Sequence, residues 1–313
     1  MVKLHGSRLT EAGLAGAFYL GYLDQNRSYI RGLATTRNSN QKKETWAGAG
    51  TGPRFQRFDG EMPYSKLTDN EVEVVNEKFA TGVEVERDDW NDDKTGTIME
   101  SVSELGSELV DFQDQMILET ATRNIAGKNC YDGQPLYSAN HQATTDGGGT
   151  NQTNIADISG GTVDSDLYKQ VLYRALQVFG GMQDDRGRYV HHNRLGDLMI
   201  VYPTMDIRIV QEAYGNPLDN GGGTNVVVNQ GRYRVRTYDE MLLEDDKHVF
   251  VFATSGISRK PVLFQQKRGP ERTYHGPGSV AWMDQDLVKF GIKWDGSAHP
   301  WWWHTAVRIQ IRA

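Results

Sequence analysis

The sequence predicts an α+β fold in which one long amphipathic helix lies across β-structure. Ile98, Val102, Leu105, Leu109, Phe112 and Met116 recur at steps of four, three, four, three and four, which is one apolar stripe on a helix. The residues before this stripe, 41–90, carry glycine, proline and alternating apolar positions that read as extended chain. The residues after it mix helical and strand periods over 163–258 and return to strand patterns over 259–313.

The 313 residues are enough for one large or two moderate domains with a real core. A hydrophobic fraction of 38% with 34 glycines points to a folded chain rich in loops and extended segments, and 14 Tyr, 10 Phe and 7 Trp argue against disorder. The net charge of −7 disfavours a dedicated nucleic-acid binder, whose footprint is a basic patch. A single cysteine, Cys130, forms no intrachain disulfide and fits a reducing cytosol; a structural thiol is the expected role. Met1 to Leu20 lacks a continuous apolar core, so no secretory leader is expected there. No stretch approaches the ~18 apolar residues of a membrane span.

In chain order, residues 1–40 show only a weak apolar cluster from Leu14 to Leu23 and then turn polar, as an arm that lies on a neighbour would. In 41–90, Trp46 precedes the helix-breaking run Gly48, Gly50, Gly52 and Pro53, and Phe55 and Phe58 interleave with Arg54 and Arg57. Phe79, Val83 and Val85 alternate as in a half-buried strand. Two long strands joined by an exposed irregular stretch are expected. The helix is expected over 95–126, with Asp92 and Asp93 at its positive end, Gly127 beyond it, and Glu100, Glu104, Glu108 and Asp111 on the outer face. Gly106 in its middle costs about 1 kcal/mol against alanine.

Residues 131–162, with Gly147, Gly148 and Gly149, read as a long surface loop region. Asp164 or Ser165 can cap a helix through Leu167, Val171, Ala175 and Val178. Leu198 to Tyr202 is a buried strand, and a helix follows through Ile207, Val210 and Ala213. Further strands are expected at Val226–Val228, Tyr233–Val235, Val249–Phe252, Val262–Phe264, Leu287–Trp294 and Trp301–Ile311.

No catalytic residue, cofactor site or metal site emerges. The run Gly48-Ala49-Gly50-Thr51-Gly52 leads into Pro53 rather than a helix, so it is not a dinucleotide loop. Asp88, Asp89, Asp92 and Asp93 lack the glycine and terminal glutamate of a calcium loop and fit a solvated helix start. His191 and His192 would face opposite ways along a strand, and His141, His299 and His304 are expected at the surface or an interface. Trp301, Trp302 and Trp303 fit core and subunit-interface packing better than a sugar platform.

Two stretches carry a family resemblance. One is Arg87-Asp88-Asp89-Trp90-Asn91-Asp92-Asp93-Lys94-Thr95-Gly96, leading into the long helix. The other is Tyr131-Asp132-Gly133-Gln134, with His141 downstream, following it. Both resemble the major head subunit of Mu-like tailed phages and prophages, in the same order and with the long helix between them. The closing segments Lys260–Gln265, Lys289–Trp294 and Trp301–Ala306 are similar to the last strands of many phage capsid proteins. The resemblance spans about residues 41–313; the glycine-rich 142–161 and the triple tryptophan depart from it.

The resemblance implies a Hong Kong 97-like capsid fold: an N-terminal arm (1–40), an extended loop (41–90), a peripheral domain with spine helix (91–162), an axial domain (163–258) and returning peripheral strands (259–313). It implies a non-enzymatic shell protein, part of a virion assembled in the bacterial cytoplasm. Its partners would be copies of itself in hexamers and pentamers, a scaffold, a maturation protease, a portal, a decoration protein and packaged double-stranded DNA, with no membrane. A mildly acidic wall would avoid adhering to the polyanion it encloses. Trp46, Arg54, Phe55, Arg57 and Phe58 are the candidate assembly contacts, an apolar-plus-arginine mixture suited to an interface core. Competing readings are an encapsulin-like compartment, a β-rich carbohydrate-binding or hydrolytic protein, and a tail or minor head component.

Overall fold

A computed structural model describes residues 10–24, 29–49, 57–60, 62, 64, 69–92, 96–142, 151–184, 187–191, 195–218, 222–229, 233–240, 243, 246–255 and 259–312. The first half contains α1 (Glu11–Asp24), β1 (Ala34–Asn38), β2 (Lys43–Ala49), β3 (Asp69–Val75), β4 (Glu77–Glu86), α2 (Arg87–Asp92), α3 (Thr97–Thr122), β5 (His141–Gln142), β6 (Asn151–Gln152) and β7 (Ile155–Asp157). The second half contains α4 (Ser165–Gly181), β8 (Asp197–Pro203), α5 (Ile207–Gly215), α6 (Val226–Asn229), β9 (Arg234–Glu240), β10 (His248–Ala253), β11 (Val262–His275), α7 (Val280–Asp284), β12 (Leu287–Pro300) and β13 (Ala306–Gln310).

Two sheets organise the chain. The first has the order β1-β11-β12-β4 and the second β7-β13-β10-β8-β9. In the first, the 14-residue strands β11 and β12 pair antiparallel, with register shifts between Gln266 and Arg268 and between Arg268 and Glu271. Pro270 lies inside that irregular stretch and has no N–H to give the ladder. In the second sheet, β8 is buried along nearly its whole length, as its unbroken apolar run requires.

The long helix α3 forms where its period places it, but it runs for 26 residues, Thr97 to Thr122, and not over 95–126. At 1.5 Å per residue that is a rod of about 39 Å. Gly96 at its start is left-handed at φ 79°, and Arg123 is already extended. Beyond it, Asn124 takes the Tyr137 N–H on Oδ1 (2.9 Å) and donates from Nδ2 to the Tyr137 carbonyl (2.8 Å), tying the next segment to the helix end. The stripe at Ile98, Leu105, Phe112 and Met116 is half-buried, whereas Val102, Leu109, Val110, Ile117, Leu118 and Ala121 are buried. The deepest face is therefore rotated from the sequence stripe, because a second helix covers α3.

That helix is α1, Glu11–Asp24, which forms where the sequence predicts only a weak apolar cluster from Leu14 to Leu23. Apolar residues surround it, so no stripe shows in the sequence. Leu14, Ala17 and Phe18 are buried, while Leu20 and Leu23 stay exposed. α1 crosses α3 at backbone contact: a Cβ on Gly106 would stand 2.2 Å from the Phe18 carbonyl oxygen, and one on Gly21 1.9 Å from that of Ser103. The glycine that costs helix propensity is what lets the helices touch.

Four other expectations are corrected. Val226–Asn229 is a turn of helix, not a strand; Asn225 Oδ1 accepts the Val227 N–H (3.1 Å), and its Nδ2 donates to the Ala213 and Asn216 carbonyls (both 2.9 Å). β4, inside the expected excursion 41–90, pairs with β12 over Glu77–Glu86. Residues 259–312 divide between the sheets, since β11 and β12 join the first and β13 the second. Trp301 and Trp302 lie outside any strand, and Trp303–Thr305 is a 3-10 turn that carries the chain from one sheet to the other. The α4 cap is as expected, with Asp164 accepting the Leu167 N–H at 2.8 Å.

Candidate functional site

The candidate contacts lie on or beyond the hairpin β2–β3. β2 and β3 pair antiparallel from Lys43↔Val75 to Ala49↔Asp69. Val72 and Val74 point inward while Glu71, Glu73 and Val75 are exposed, so only one face is packed. The base is fixed by buried Asn76, which donates to Ser39 Oγ (3.0 Å) and the Gln41 carbonyl (2.8 Å).

Of the five candidate contacts, Trp46 is engaged within its own chain. Its indole N–H donates to Gln265 Oε1 on β11, and the Arg37 guanidinium lies 5.7 Å from its ring. Arg54 and Phe55 lie outside the described residues. Arg57 and Phe58 are exposed, Phe58 at 66%, and Arg57 lies 3.7 Å from exposed Asp59. Met62 and Tyr64 beyond them are exposed at 60% and 91%. The structure thus separates an anchoring tryptophan from an exposed stretch with apolar side chains at Phe58, Met62 and Tyr64.

The segment after α3, expected as surface loop, is largely core. Cys130, Tyr131, Leu136, Tyr137, Ser138 and His141 are buried. The Asp132 side chain, 1% exposed, meets His141 Nδ1 at 2.7 Å, and His141 Nε2 lies 3.1 Å from the Leu136 carbonyl. Asp132 also accepts the N–H groups of Gln134 (3.2 Å) and Gln142 (3.4 Å), so one carboxylate closes the whole loop. The His141 ring stacks on Trp303 at 4.2 Å, and Trp303 on His304 at 3.6 Å. Trp302 stacks on Tyr131 at 5.0 Å with the Arg259 guanidinium 4.5 Å from its ring. Trp302 and Trp303, with His304, and the loop motif are therefore two halves of one buried stack, at the crossing between the sheets.

No expected surface histidine in this set is at the surface: His141, His299 and His304 are buried, as is His191, whose Nε2 donates to the His304 carbonyl at 2.6 Å. His192 lies outside the described residues. Among the described residues no cluster of His, Cys, Asp or Glu could hold a metal. Burial pushes the Cys130 thiol up, the opposite of an activated thiolate. The cluster joins the two sheets. Sequence reasoning missed it because Asp132, His141 and Trp303 carry no shared period; only the loop motif marked two of them.

Burial holds His191 down to about 4 and His304 to about 3. Both groups titrate near 6.5 in the unfolded chain, so the unfolded state binds more protons below that pH. Their contribution is present above about pH 6.5 and is lost as pH falls toward 3–4. The urea midpoint is expected to be flat from pH 8 to 7 and to drop steadily from about 6.5 to 4. A midpoint independent of pH across that window would contradict the buried-neutral assignment.

With this geometry in view, the sequence profile of the Mu-like prophage major head subunit gpT matches residues 9–179, more than half of the chain. The chain belongs to that family. The match runs from α1 through α4 and contains both motif stretches. The Mu-like prophage FluMu major head subunit of Haemophilus influenzae is 29% identical over 139 residues, 44% of this chain and 45% of that protein. The chain thus spans about half the length of this curated relative in the match. The procapsid protein of bacteriophage JBD30 superposes with a TM-score of 0.52 at 16% identity, covering 96% of this chain and 75% of its own. The protein of Mycobacterium phage Bobi superposes with a TM-score of 0.55 at 13% identity, covering 92% of each. The fold is the Hong Kong 97-like capsid fold, with mixed helices and sheets. The family is one of structural head subunits, not enzymes.

Proposed function

We propose that this chain is a major capsid protein that assembles through hexamers and pentamers into the icosahedral head around double-stranded phage DNA. The observation that carries the reading is the agreement of a head-subunit family match with a capsid-type superposition over 96% of the chain. In this reading α3 and the first sheet form the peripheral unit and the second sheet with α4 and α5 forms the axial unit around the symmetry axes. Residues 1–40 form the arm, and the hairpin β2–β3 is the extended loop that lies over the next subunit. Such a hairpin is marginal alone and gains stability from a neighbour. Scaffold, maturation protease, portal and decoration protein are the further partners, with assembly in the host cytoplasm and the product in the virion.

Negative-stain microscopy with size exclusion tests this directly. The full chain, alone and with its neighbouring genes, is expected to yield shells, hexamers or pentamers; a strict monomer under all conditions would overturn the reading. Deleting residues 48–62 is expected to abolish closed shells while leaving a folded chain, because Trp46 and the buried valines of the hairpin base remain. Normal shells from that deletion would remove the extended loop from the mechanism. Nucleic acid in purified particles separates a DNA head from a compartment with other cargo.

A further inference from the structure

A pocket of about 200 Å³ opens between α3, β4 and β12, and its walls are largely aromatic. Phe79 and Phe112 stand 4.8 Å apart at the mouth, half-buried, over Trp294, whose ring lies 5.6 Å from Phe79 and 6.4 Å from Phe112. Ile292 and Thr81 complete it. The Trp294 indole N–H is buried without a hydrogen-bond partner among the described residues. Glu108 sits on the rim, exposed, in a row of exposed carboxylates with Glu104 and Asp111 along the outer face of α3. A cavity of about 150 Å³ lined by apolar groups holds a benzene ring, so this one has room for a single aromatic side chain.

The same chain carries a matching key. At the hairpin tip, Phe58 is 66% exposed, and Arg57 beside it has a side chain 92% exposed. The tip offers an aromatic ring beside an arginine, with exposed Asp59 3.7 Å from that arginine, and the pocket is apolar with the Glu108 carboxylate on its rim. An aromatic anchor filling a pocket, with an arginine at its rim, is the composition of an interface hot spot. We propose that Phe58 of one copy enters this pocket on a second copy and packs against the contacting pair Phe79 and Phe112, while Arg57 pairs with Glu108. The inference rests on the reading that the hairpin reaches a neighbouring subunit, and it names the receptor.

Charge reversal with rescue tests it in the full-length chain. Arg57→Glu and Glu108→Arg, both at exposed positions, are each expected to raise the protein concentration needed for shells about tenfold or more. The double variant is expected to recover most of that loss, since the pair is restored with its signs exchanged. A chain carrying Phe58→Cys and Thr81→Cys is expected to give a ladder of cross-linked oligomers under mild oxidation, buried Cys130 being spared. If the 48–62 deletion abolishes shells but the reversals are silent and no ladder forms, this receptor is wrong while the extended-loop reading stands. If the deletion is silent too, both fall.

Discussion

Replacing Gly106 with alanine is expected to destabilise the protein by about 3 kcal/mol, although alanine is the better helix former. Propensity favours the change by about 1 kcal/mol. Against it stands the crossing of α1: the new methyl would sit 2.2 Å from the Phe18 carbonyl oxygen and 2.6 Å from the Tyr22 nitrogen. Both are backbone atoms of a helix and cannot turn aside as a side-chain tip can. Relief requires α1 to slide off α3, which exposes Leu14 and Phe18, each fully buried in the native chain. Urea unfolding of Gly106→Ala beside an exposed control on the same helix such as Glu104→Ala measures the difference. A stabilised Gly106→Ala would mean that α1 does not hold this crossing in solution.

Asp132→Ala is expected to cost about 3 kcal/mol and to loosen the joint between the two sheets. The substitution strips His141 Nδ1 of its partner inside the core and frees the N–H groups of Gln134 and Gln142. A buried donor left without a partner costs about 1–3 kcal/mol. The expected signature is local as well as global. Trp303 lies between the His141 and His304 rings, so its near-ultraviolet circular dichroism should weaken along with the fall in the urea midpoint. Asp132→Asn keeps an acceptor oxygen and should recover part of the loss. An unchanged midpoint in Asp132→Ala would show that the loop is held by its backbone alone.

The elements that could be read from the sequence are those whose cause is local. The stripe from Ile98 to Met116 marks α3 because one face of a helix must be apolar to be buried. The unbroken run Leu198 to Tyr202 marks β8, and Asp164 marks the start of α4, because the residues themselves satisfy the strand or the cap. The two motif stretches point to the family and fall within its matched region. Where local cause fails, so does the reading. α1 is apolar on every side and shows no period, and Val226–Val228, good strand formers, are held in a helical turn by Asn225.

What the sequence by itself determined is the elements with a local cause, such as α3, β8 and α4, their order and the family to which the chain belongs. What only the tertiary structure decided is which of them touch. Gly106 changes from a defect into a requirement once Phe18 and Tyr22 lie across it. Trp46 becomes an anchor once Gln265 is beside it, and a run of loop residues becomes core once Trp303 stacks on His141. Periodicity records the face an element turns to its surroundings, and a propensity records its own backbone; neither carries the identity of the partner. Asp132 and Trp303 are 171 residues apart in sequence and belong to one stack only because the chain crosses between the sheets at that point.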